Sequence, residues 1–183
     1  MTLPVGMLVF LLLLAVIQEG SAVLPSFTAG LDPVPLMLFV PLPLVVSLIL
    51  SLESRLAAPE TSGVRPIALL DAALSLAVVA AALAISGLAD AAFTSPHAAA
   101  AGRNTAFLIG LMLIARSAVG QPAVMVPVAW LVVVLLFGFE TGHRAHAWTI
   151  VPEPIGSLRA AIAAAATCGI GLAAQIYTSR KTA

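Results

Sequence analysis

The chain has 183 residues, 61% of them hydrophobic and only 9% charged, with eight basic and eight acidic side chains and a net charge of zero. A soluble domain carries about 25% charged residues, so a surface this poor in charge is solvated by lipid rather than water. The balance excludes the clustered Lys and Arg that nucleic-acid binding requires, and the single cysteine, Cys168, excludes an internal disulfide. Arg supplies seven of the eight basic residues, and Ala, Val and Leu are abundant. That usage is typical of a high-GC bacterium and points to a bacterial cytoplasmic membrane.

Crossing ~30 Å of hydrocarbon takes roughly 20 apolar helical residues. Six windows approach this length: Leu3–Ile17, Val34–Leu52, Ile67–Leu88, Ala98–Ala115, Pro122–Phe139 and Leu158–Tyr177. The expected fold is therefore all-α, a single helical membrane bundle of about six spans over residues 1–183, without a soluble domain.

Window one is short. A cleaved signal peptide, with Ala22 near the cleavage site, is its rival reading, although Met1-Thr2 has no basic side chain. The segment Gln18–Asp32 after it has no Lys or Arg. Window two opens with Pro33 and Pro35 and carries Pro41 and Pro43 inside it. An internal proline removes a backbone hydrogen bond and kinks a helix, and transporters use such breaks for substrate sites. Pro41, Pro43 and, in window five, Pro127 are the candidate breaks. An offset of 87 residues also places Pro35 on Pro122 and Glu53 on Glu140, as two inverted three-helix halves would.

The next segment, Glu53–Pro66, contains Arg55, Glu60 and Arg65. Window three carries Asp71, with Ser75 one helical turn further along the same face. A carboxylate at that depth costs about 2–3 kcal/mol on insertion scales and is a functional candidate by default. Asp71 and Asp90 lie ~28 Å apart along a helix and mark two interfaces. Window four offers Arg103, Asn104 and Arg116 as counterparts. The expected arrangement is an antiparallel hairpin of windows three and four, clasped by Asp71 with Arg116 and Asp90 with Arg103. The alternative is a polar transport site formed by the same residues.

The loop after window five contains Glu140, His143 and His146, a weak metal-ligand spacing, and Trp148, suited to a membrane interface. Window six carries Ala161, Ala165, Gly169 and Ala173 at four-residue spacing, a small-residue ridge that admits a neighbouring helix closely. The ridge marks an interface, within the bundle or with a partner subunit; with alanine so common in the chain, packing within the bundle is the expected reading. With both termini cytoplasmic, inside loops hold Arg55, Arg65, Arg116, Arg180 and Lys181, and outside loops hold Arg103, Arg144 and Arg159. This is the orientation that positive charge favours.

Lys181 is the only lysine, so there is no Walker A loop. No H-E-x-x-H or G-x-S-x-G motif occurs. No catalytic residue, cofactor or metal site is expected in this chain.

From Gly102-Arg103-Asn104 through Gly110-Leu111, Arg116, Trp130, Gly138, Trp148 and Pro154, the second half resembles small actinobacterial membrane proteins encoded beside ABC-transporter ATPases. The resemblance covers Gly102–Gly156. It implies a membrane subunit of an ABC-type exporter, with ATP hydrolysed by a separate cytoplasmic subunit and with further membrane subunits as partners. Arg55, Glu60 and Arg65 would then contact the ATPase. The competing reading is a non-transporting accessory, assembly or immunity membrane protein.

Overall fold

The structure, a computed structural model, describes residues 2–18, 20–28, 30–54, 67–93, 95–140, 144–146 and 148–181. One α-helix overlaps each of the six apolar windows: α1 (Thr2–Ile17), α2 (Leu42–Ser54), α3 (Ile67–Phe93), α4 (Pro96–Val119), α5 (Met125–Phe137) and α6 (Leu158–Lys181), with α2 and α5 shorter than windows two and five. Two antiparallel hairpins accompany them, β1 (Ser21–Ser26) with β2 (Gly30–Pro35), and β3 (Phe139–Glu140) with β4 (Arg144–Ala145). The segments Leu36–Ser54, Leu69–Phe93, His97–Val119 and Leu158–Thr178 are long and apolar enough to cross a membrane, whereas Thr2–Ile17 and Pro122–Phe137 are apolar but shorter.

The prolines act differently from the internal kinks expected of them. In window two a 3-10 turn at Leu36–Leu38 gives way to turns at Phe39–Pro41, and α2 begins only at Leu42. The Pro41 carbonyl accepts the N–H of Val45 at 3.1 Å, and Pro43 falls in the first helical turn. In window five a 3-10 turn at Gln121–Val124 runs into α5, and Pro127 again occupies the first turn. A first-turn residue has no intrahelical acceptor for its N–H, so proline is tolerated there. The interruption precedes each α-helix.

Helix α4 is the centre of the bundle. Every residue from 101 to 110 is buried, and α3, α5, α6 and α2 all pack against it. Lipid tails are as apolar as leucine side chains, so helices in lipid associate through close packing rather than through the hydrophobic effect. Small residues permit that packing here. A Cβ on Gly110 of α4 would lie 2.5 Å from the Cys168 nitrogen of α6, and one on Gly171 would lie 2.6 Å from the Gly110 carbonyl oxygen. The α3–α4 contact uses Gly102 against Ser86, and the α1–α2 contact uses Gly6 against Ser47.

The face of α6 that meets α4 is therefore Ala160, Ala164, Cys168 and Gly171, all buried. The ridge expected to pack inward, Ala161, Ala165, Gly169 and Ala173, is exposed. It lies one residue around the helix from the true seam.

This difference is testable. Gly110→Ala forces a methyl into the α6 backbone and should cost about 1–3 kcal/mol, the usual penalty of overpacking. Gly169 meets nothing within 4 Å, so Gly169→Ala should be neutral or stabilising by up to about 1 kcal/mol. Thermal unfolding of the two variants in mild detergent should separate them in that order.

Candidate functional site

The hairpin end of the bundle holds a dense polar cluster. Arg103, near the start of α4, is buried beneath the segment that leads into α6. Its Nη1 donates to the Pro154 carbonyl at 2.8 Å, and its Nη2 to the Glu153 carbonyl at 2.5 Å, with longer contacts to the Ile150 and Val151 carbonyls at 3.4 and 3.5 Å. Nε and Nη2 also donate to Asn104 Oδ1 at 3.3 and 3.1 Å. Asn104 returns a bond from Nδ2 to the Val151 carbonyl at 2.9 Å. A planar guanidinium with five N–H groups can satisfy several convergent carbonyls at once. Pro152 and Pro154 help to present them, because neither has an N–H to close a helical turn.

The segment is held on its other side as well. Glu153 pairs with Arg159 of α6. Thr149, buried, donates from Oγ1 to the His146 carbonyl at 2.7 Å. His146 Nδ1 lies 3.0 Å from Glu140 Oε1. The Trp148 ring stacks near His146 and meets Trp130 edge-on at 6.0 Å, and Trp130 reaches Phe107 of α4 at 5.6 Å.

Beside this cluster a cleft of about 200 Å³ opens between the 3-10 turn ahead of α2 and the Val151–Ile155 segment. Met37 and Leu38 form its apolar wall, and His97, Asn104 and Glu153 supply its polar groups. Its chemistry suits a small, mainly apolar molecule bearing a hydrogen-bonding end.

The residues singled out in the sequence are thus only partly brought together. Arg103 and Asn104 do share a site, but Arg103 is directed to backbone carbonyls and not to Asp90. The ion pairs among the described residues are Glu140–His146 and Glu153–Arg159, and neither is one of the two expected clasps. Asp71 is buried in α3, and Ser75 Oγ donates to its backbone carbonyl at 2.9 Å, an ordinary bond back to the preceding turn. Asp90 and Arg116 are half-buried near opposite ends of α3 and α4. Arg55, Glu60, Arg65 and His143 lie outside the described residues. Among those described, no group of three or more His, Cys, Asp or Glu is placed to hold a metal.

The segment 150–154 and residues His97 and Glu153 were not anticipated as parts of a site. The available signal was Pro152-Glu153-Pro154, a rigid turn bearing a charge within sequence reach of α6.

The fold and site together describe a helical bundle with four helices able to cross a membrane and one polar cluster at its hairpin end. No protein-family model, curated protein or solved structure matches the chain.

Replacing Arg103 tests the latch. Arg103→Leu removes the donor from the carbonyls of Ile150, Val151, Glu153 and Pro154; those of Ile150, Val151 and Pro154 keep a bond from Glu153 N–H, Asn104 Nδ2 and Ser157 N–H, so the cost, about 1–3 kcal/mol, falls mainly on the Glu153 carbonyl. Amide hydrogen exchange in residues 149–157 should accelerate strongly. Arg103→Lys, a point donor without the planar fork, should give an intermediate rate.

Proposed function

We propose that this chain is a membrane-spanning subunit of a transporter, crossing the bilayer six times with both termini cytoplasmic, and that it works in ABC-type export with ATP hydrolysed by a separate subunit. The observation that carries this reading is the matching order of the two halves. Each half contains, in order, a helix, a 3-10 turn, a 13-residue α-helix and a long helix (α1, α2 and α3 in the first, α4, α5 and α6 in the second), with a β-hairpin ahead of the 3-10 turn in the first half and after the 13-residue helix in the second. Three spans per half would make the halves inverted relative to one another, an arrangement that transporters use around a central site. The short middle helices, α2 and α5, touch each other.

The exposed small-residue ridge on α6 supports the subunit part of the reading. Alanine and glycine at four-residue spacing allow a second membrane helix to approach closely, and this chain leaves that ridge uncovered. The cleft beside Asn104 would be the outward-facing pocket. The ATPase would dock on the segment between α2 and α3 that bears Arg55, Glu60 and Arg65, which lies outside the described residues.

A second reading rests on Arg103. Its donors are spent on the chain's own carbonyls, as suits a non-transporting accessory or immunity protein. Isolating the tagged chain from its native membrane in mild detergent distinguishes the two. Transport predicts that an ATP-hydrolysing chain is recovered with it, and that Gly169→Leu on the ridge reduces the recovery of membrane partners. A chain recovered alone, or one whose partners ignore Gly169→Leu, would contradict the proposal.

A further inference from the structure

The β1–β2 hairpin has an unusual outer surface, and its register explains why. Ser21 pairs with Pro35, Val23 with Pro33, and Pro25 with Leu31. Directly opposed residues in an antiparallel pair share one face. Val23, Pro25, Leu31 and Pro33 all lie exposed on that face, whereas Val34 on the opposite face is buried. Val23 is 64% exposed and Leu31 75%, and Phe27 in the connecting turn is 77% exposed. A half-buried hairpin in water shows the reverse pattern, polar outside and apolar inside.

The same prolines strip the hairpin's edges. A hydrogen-bonded antiparallel pair exchanges two N–H···O bonds, and proline has no N–H. None of the three proline-containing pairs can be of that kind, so the ladder bonds belong to the alternate pairs. The bond from Leu36 N–H to the Gly20 carbonyl, 2.9 Å, continues that alternate series. The outward backbone groups are then those of residues 21, 23, 25, 31, 33 and 35, and half of their N–H positions are proline. Adding a strand from a partner would need those donors. Burial against lipid is easier without them.

The hairpin's position fits the same occupant. Its tip covers the end of α5: Phe27 N–H donates to the Leu136 carbonyl at 2.9 Å, and Thr28 Oγ1 donates to the Phe139 carbonyl at 2.5 Å. Phe27 stacks on Phe137 at 5.6 Å. The exposed face therefore continues into the exposed apolar side of α5, Val128, Val132, Val133 and Phe137. No Lys or Arg occurs before Arg55, so charge attraction to anionic lipid has no part in it.

We propose that the β1–β2 hairpin is a lipid-binding element. Val23, Pro25, Phe27, Leu31 and Pro33 lie in the headgroup–acyl boundary of the leaflet at the hairpin end, ~5–10 Å deep. The outward carbonyls and the remaining N–H groups of Ser21, Val23 and Leu31 meet headgroups and water. This rests on the membrane-spanning reading above.

Spin labels placed on the full chain in zwitterionic phosphatidylcholine vesicles test it, with Cys168→Ala removing the native thiol. Val23→Cys and Leu31→Cys report the hairpin, Val132→Cys reports the side of α5, and Gly156→Cys reports the aqueous loop. The ratio of oxygen to nickel-chelate accessibility at Val23 and Leu31 should exceed that at Gly156 about threefold or more, as apolar depth requires. Nickel accessibility equal to that at Gly156 would overturn the proposal by placing the face in water. Low accessibility to both reagents would overturn it by placing a protein, such as a second copy, over the face. If Val132 shows no oxygen preference, the membrane-spanning reading itself fails and the hairpin proposal falls with it. If only the hairpin positions fail, the bundle stands and the hairpin proposal alone is lost.

Discussion

The close approach of α4 and α6 at Gly110 and Gly171 is the contact on which the bundle depends. It brings backbone against backbone, because a methyl group at either position would overlap the other helix. With that seam closed, α4 is enclosed on several sides, and α3 and α6 keep outer faces for the surroundings. The other tight contacts repeat the device with Gly102 on Ser86 and Gly6 on Ser47. In lipid, where apolar side chains gain little by leaving one hydrocarbon for another, such seams set which helices touch.

The irregular segments then complete the helices. Helix α5 is too short to span hydrocarbon alone. The 3-10 turn before it lengthens it at one end, and at the other the β1–β2 hairpin donates to its Leu136 carbonyl from Phe27 N–H and Ser26 Oγ. Arg103 and Asn104 do the same for the segment ahead of α6, whose prolines leave carbonyls that no helix satisfies. The polar residues of the hairpin end thus meet backbone groups that would otherwise be costly to bury.

Much of this was legible in the sequence, and the rest was hidden for identifiable reasons. The apolar windows located six helices because length and composition suffice for that. The packing face of α6 lies one residue from the ridge that the sequence suggests: alanine occupies Ala160, Ala161, Ala164 and Ala165 alike, so the pattern does not say which side carries the seam. Arg103 was matched to Asp90 because charges are visible in a sequence, whereas its real partners are carbonyls, which every residue has. The prolines of window two signal a break, and its place ahead of α2 rather than within it accords with the tolerance of proline in a helix's first turn. The β1–β2 hairpin escaped notice because its outward positions are apolar and proline-rich and do not alternate as a surface strand does.

The proposed six-span bundle around α4 requires the short α5 to cross the bilayer. Cysteines replacing Ala118, before the 3-10 turn, and Gly156, ahead of α6, flank that crossing; both positions are exposed. In intact cells carrying Cys168→Ala, a membrane-impermeant maleimide should modify Gly156→Cys directly and Ala118→Cys only after permeabilisation. Equal labelling of both from outside would show that α5 does not cross, and would contradict the six-span bundle.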